Sequence, residues 1–240
     1  MDVSISKLIY GFLFFLVSYP HVQGQLLFQR DFSPAEGLVN RYEKDFRDEI
    51  CLNGYWDLQI IHLPAGWKSG SGVPPILPGV VDTAWEKTKI KIPSPINVNN
   101  WGGGQDVGEG TRSPYAPSSV YYPSYPKHWV DARMAWLRKS MTIPAEWEAK
   151  QVILHFEAVA GECVVYVNGK EVYTHFDSYL PFEVNITRYI QPGEKAEVLL
   201  GLRHSKLFDK RHPLYDKFGA VYPPGSNTDD LIGIWQDVYL

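Results

Sequence analysis

The chain has 240 residues, of which 45% are hydrophobic, 14% aromatic and 21% charged, with a formal net charge of -4. It is long enough for one large all-β domain or two small ones and for a sizeable core. No long run of like charge is present, which argues against a nucleic-acid surface or a polybasic membrane patch. The aromatic content and the 18 prolines favour strands and fixed turns over helical bundles.

At the N-terminus Lys7 precedes the apolar run Leu8 to Val17, and Val22-Gln23-Gly24 follows. The run is shorter than the ~20 residues that span a bilayer. The pattern predicts a signal peptide over residues 1–24, cleaved before Gln25. The chain is therefore expected to be exported (periplasmic, cell-surface or secreted), with no membrane span after cleavage. Export permits disulfides, but the two cysteines, Cys51 and Cys163, make no disulfide framework and neither has metal-ligand spacing around it. Cys163 sits in an apolar strand pattern, where a buried free thiol is expected.

Residues 25–50 are polar and charged and read as a surface-hugging lead-in. Asn53-Gly54 is a turn signal, after which Trp56, Leu58 and Ile60 recur at period two. Residues 63–83, rich in Pro and Gly, predict a loop. Ile90 and Ile92 share one strand face, Lys89 and Lys91 the other, and Pro93 ends the strand. The stretch 93–129 has neither period and carries Trp101, the glycines Gly102 to Gly104, Tyr115, Tyr121, Tyr122, Tyr125 and Trp129. A loop of that length is expected to be functional or mobile.

From residue 135 strands follow at short intervals. Trp136 to Met141 ends at Ile143-Pro144, and Val152, Leu154 and Phe156 alternate with Ile153, His155 and Glu157. Cys163 to Val167 runs into Asn168-Gly169, a two-residue hairpin signal, with Glu171 to Thr174 as the return strand. Pro192-Gly193 is another turn, and Val198, Leu200 and Leu202 alternate with Leu199, Gly201 and Arg203. No long amphipathic helix is apparent. The pattern predicts a β-sandwich or jelly roll.

Several segments together resemble one family: Leu52-Asn53-Gly54-Tyr55-Trp56, Trp136-Leu137-Arg138-Lys139, Phe156 to Ala160, Val165 to Lys170, His175 to Thr187 and Gly233 to Leu240. In this order and spacing they resemble the N-terminal sugar-binding domain of glycoside hydrolase family 2, which includes β-galactosidases, β-glucuronidases and β-mannosidases. The resemblance covers roughly residues 50–240 with a gap over 93–129, and it implies a jelly-roll sandwich at 51–240. In such enzymes this domain lies beside an immunoglobulin-like domain and a TIM barrel of the same polypeptide. The barrel carries two glutamates about 5–5.5 Å apart for retaining hydrolysis.

No carboxylate here matches those glutamates, so no catalytic residue is assigned and the isolated segment is expected to be inactive. Glu146, Glu148, Glu157, Glu162, Glu171 and Glu183 read as solvated or hairpin residues. The resemblance implies substrate contact by Asp177, whose segment Asp177-Ser178-Tyr179-Leu180-Pro181 matches a "D-S-R-L-P" segment except at Tyr179. His175, shared with the glucuronidase branch, is the neighbouring candidate. An ionised carboxylate suits sugar hydroxyls because charged acceptors make the stronger hydrogen bonds.

Trp101, Tyr115, Tyr121, Tyr122 and Trp129 are candidates for stacking on sugar C–H faces, Trp101 and Tyr121 foremost, and Asn97, Asn99 and Asn100 for donating to hydroxyls. Packing within the sandwich is the competing role for these aromatics. Asn185-Ile186-Thr187 reads as a turn initiator, although it is formally a glycosylation acceptor.

The seven histidines form no metal constellation, and His204 and His212 are expected on a solvated surface. Gly102 to Gly104 lacks the flanking strand and helix of a phosphate cradle. No cofactor is expected. Because the chain stops on a strand at Leu240, the family reading leads us to expect a fragment of a longer glycosidase. A stand-alone carbohydrate-binding or structural module is the alternative.

Overall fold

The structure, a computed structural model, describes residues 37–68, 73–97, 125–208 and 231–240. Among the described residues the strands are β1 Gly54–Ile61, β2 Ile90–Ile92, β3 Met134–Thr142, β4 Ile153–Phe156, β5 Val159–Val167, β6 Lys170–Asp177, β7 Phe182–Asn185, β8 Lys195–Arg203, β9 Gly233–Ile234 and β10 Val238–Tyr239. Among the described residues there is no α-helix, only short 3-10 turns. None of them is long and apolar enough to cross a membrane. The expected all-β sandwich is what the chain forms.

The strands make two antiparallel sheets. The large one runs β2-β1-β3-β8-β5-β6, with β9 added on β5, and the small one runs β10-β4-β7. Period-two alternation decides which side chains meet between them. Trp56 and Leu58 of β1, Leu137 of β3, Cys163 and Val165 of β5, and Leu200 and Leu202 of β8 are fully buried. They pack in one cluster with Leu154 and Phe156 of β4 and Val238 of β10. Each such side chain contributes about 1.5–3 kcal/mol by leaving water. Cys51 and Cys163 are not joined in a disulfide, and burial pushes the Cys163 thiol far up, so it is an inert core residue.

Turn chemistry follows the sequence. Asn168 and Gly169 take φ 48° and 77°, the mirror-image hairpin turn between β5 and β6. Asn168 also donates from Nδ2 to Tyr189 O at 2.8 Å and accepts from Glu197 N at 2.9 Å. At β7 the Asn185 Oδ1 accepts from Thr187 N at 3.1 Å, the expected local turn. The sequence did not show the register shift between Val165 and Tyr166, which bends β5.

The ends of the domain are tied across the whole chain. Asn53 donates to Asp237 Oδ1 at 2.7 Å and accepts from Val238 N at 3.0 Å. Ile50 and Leu240 exchange backbone hydrogen bonds at 2.7 and 2.8 Å. Residues 37–50 border a cavity of about 340 Å³ over the small sheet, where Val39 N donates to Glu49 Oε2 at 2.8 Å. In that face the ring nitrogens of His155 lie 3.1 Å from Glu183 Oε1 and 3.1 Å from Glu157 Oε1. The segment around residues 75–81 covers the outer face of the large sheet. Gln59 holds it through Val81, donating at 2.6 Å and accepting at 3.1 Å, and Trp136 Nε1 donates to Pro78 O at 2.8 Å.

Candidate functional site

β6 places Tyr173, His175 and Asp177 on one face, because every second residue of a strand points the same way. Their partners across the ladder are Val165, Cys163 and Gly161, so the three face the other sheet from the sandwich edge. His175 does this as a packing ring. It stacks on Phe182 at 3.9 Å and 19°, and Phe182 stacks on the fully buried Phe156 at 4.8 Å and 19°. The bend at residues 178–180 thus leads into β7 with Phe182 buried in the core.

Asp177 ends the strand and is 8% exposed. Its Oδ1 accepts from Tyr179 N at 2.6 Å and Leu180 N at 2.9 Å, which closes the turn toward β7. Among the described residues no hydrogen bond reaches Oδ2. One carboxylate oxygen is therefore committed to the turn, and the other retains its acceptor capacity. Around it, Gly161 N donates to Ser178 Oγ at 3.4 Å and Trp235 Nε1 donates to Ser178 O at 2.7 Å. The Tyr179 ring meets Trp235 edge-on at 5.1 Å. Gly161 has φ 98°, and a Cβ there would lie 2.5 Å from Arg203 O. Only glycine fits this close approach.

Two further segments reach the same end of the sandwich. Ser94 N and Ile96 N donate to Ile234 O and Ile232 O at 2.9 and 2.8 Å, and β9 pairs with Val159 and Ala160, next to Gly161. Residues 94–96 and 232–234 thus run side by side. Trp101, Tyr115, Tyr121, Tyr122, Asn99, Asn100 and His212 lie outside the described residues.

Four expectations are corrected. Trp129 is fully buried and packs on Tyr125 at 4.6 Å, so it belongs to the core and is no sugar platform. Asn97 is also fully buried, and its Oδ1 accepts from Ile232 N at 3.2 Å, which pins two chain segments together. Glu162 is 4% exposed instead of solvated, because Arg203 of the adjacent β8 pairs with it and also donates to Pro75 O at 2.9 Å. His204 is fully buried, with Nδ1 accepting from Lys206 N at 3.0 Å. A basic local composition concealed that its backbone continues beside β3, where His204 N donates to Arg133 O at 2.8 Å.

Trp235, Ser178 and Gly161 are not among the site residues expected from the sequence. A lone glycine in a strand pattern was the available signal for Gly161. Among the described residues, no group of three or more His, Cys, Asp or Glu is placed to hold a metal ion.

A family profile described as "Glycosyl hydrolases family 2, sugar binding domain" matches residues 51–240. The chain belongs to glycosyl hydrolase family 2. This family 2 domain is similar to a β-galactosidase of Thermoanaerobacter pseudethanolicus, 32% identical over 108 residues that cover 41% of this chain and 14% of that protein. A β-galactosidase of Vibrio cholerae is 26% identical over 194 residues, covering 79% of this chain and 16% of the relative. Among solved structures, a Ruminococcus gnavus β-glucuronidase aligns at 16% identity and a TM-score of 0.48, over 88% of this chain and 31% of that one. The matched part of the family 2 domain spans only 14% and 16% of the two curated relatives' lengths.

Proposed function

We propose that this domain belongs to an exported, retaining β-glycosidase and borders the substrate site of a catalytic barrel carried by the same polypeptide. In this reading Asp177 accepts hydrogen bonds from sugar hydroxyls through Oδ2, while Oδ1 keeps the turn closed. Hydroxyl-to-carboxylate bonds are about twice as strong as neutral ones, so one carboxylate at a site edge orients a pyranose firmly. Trp101 and Tyr121 are the proposed stacking partners for its C–H face. Hydrolysis itself is assigned to two barrel carboxylates about 5–5.5 Å apart, one acting as general acid/base and one as nucleophile.

The observation that carries this reading is the family match over residues 51–240. Asp177 supports it by being a nearly buried carboxylate with one oxygen outside the turn's bonds. The test is hydrolysis of a panel of aryl β-glycosides by the full polypeptide and by residues 25–240 alone. The full polypeptide is expected to turn over one sugar series, with the first-formed product keeping the β configuration by NMR. The shorter chain is expected to be silent. Inverted product, or turnover by residues 25–240, contradicts the proposal.

A further inference from the structure

The turn that carries Asp177 cannot be described from its own residues alone. Because Asp177 Oδ1 is engaged by both Tyr179 N–H and Leu180 N–H, the carboxylate does not rotate independently of the turn. The direction of Oδ2 is set by the tilt of residues 177–180 as a unit. The Leu180 side chain is exposed, Leu180 being 53% accessible, and the bond from Gly161 N to Ser178 Oγ is long, at 3.4 Å. The short bond is the 2.7 Å one from the Trp235 indole N–H to Ser178 O.

Trp235 also receives the Tyr179 ring at 5.1 Å and 80°, and it is itself fixed. It follows Ile234, which is fully buried and paired with Val159, and its backbone N donates to Ala158 O at 3.3 Å. We infer that Trp235 is the positioning residue for Asp177: its indole N–H sets the tilt of the 177–180 turn and hence where Oδ2 points. The inference rests on the reading that Asp177 contacts the sugar. The turn has its own local closure through Oδ1, so loss of the indole N–H should reorient it without unfolding it.

The experiment is a double-mutant cycle in the full polypeptide, with KM, kcat and Tm measured for Asp177→Asn, Trp235→Phe and the pair. Asp177→Asn leaves Oδ1 as an acceptor and should lower kcat/KM about 10- to 100-fold. Trp235→Phe keeps a ring against Tyr179 and should lower kcat/KM about 3- to 10-fold, with Tm changed by no more than about 3 °C. The pair should be no worse than Asp177→Asn alone, because both act through one contact. Should Trp235→Phe fail to fold, benzothienylalanine at position 235, which replaces only the N–H, takes its place. Normal kinetics for the position-235 variant beside an impaired Asp177→Asn, or penalties that add in full, overturn the inference and leave the substrate reading standing. An unimpaired Asp177→Asn overturns both.

Discussion

Asp57 shows how a single side chain integrates several strands. Burial alone would raise its carboxyl, but Lys89 at 2.7 Å and Arg138 at 3.1 Å outweigh this and hold it below the ordinary carboxylate range. A depressed carboxyl stabilises the fold above its unfolded pKa of about 3.9 and loses that contribution as pH falls through its folded value. Asp57→Asn should therefore cost about 1 kcal/mol at pH 7, with the gap to the parent narrowing toward pH 3 in urea titrations. Gly161→Ala should be harsher, since its φ of 98° and the 2.5 Å approach to Arg203 O leave no room for a methyl group. A loss of about 3 kcal/mol, or about 6–12 °C in Tm, is expected. Asp177 was readable as a turn residue from its neighbours in sequence. The hold of Trp235 on Ser178 was not, because a contact across 57 positions leaves no local pattern.

At the scale of elements, alternation and turn residues were sufficient where a strand has one apolar face. Val198, Leu200 and Leu202, and the Asn168-Gly169 hairpin, lie as the pattern required. Reading failed where burial comes from a neighbouring element. Glu162 is buried only because Arg203 sits directly across from it in β8, and Trp129 only because a 3-10 turn at Lys127–Asp131 feeds it into the core. The Leu52-Asn53-Gly54 and Gln236-Asp237-Val238 segments are two halves of one joint, the Asn53–Asp237 pair. Asn53→Ala removes both that bond and the acceptor for Val238 N. Two lost part-buried bonds cost about 2–3 kcal/mol, so Tm should fall by about 4–12 °C in a thermal melt. A change below 1 °C would show that backbone pairing of Ile50 with Leu240 holds the joint unaided.

At the scale of the whole molecule, two sheets close over one apolar cluster, and the chain's Asp177, Gly161 and β9 come to the same end. The all-β class was legible in the sequence because turns and short strands recur along most of it. The division into a large and a small sheet was not, since strand pairing between β4 and β10 joins residues some eighty positions apart. In the proposed function this is the end that meets the sugar, through the nearly buried carboxylate of Asp177. The most direct measurement is a crystal structure of the full polypeptide with its monosaccharide product bound. A sugar hydroxyl is expected within about 3 Å of Asp177 Oδ2, with the Ser178–Trp235 bond intact. A well-ordered sugar that touches no residue of the 175–181 segment would contradict it.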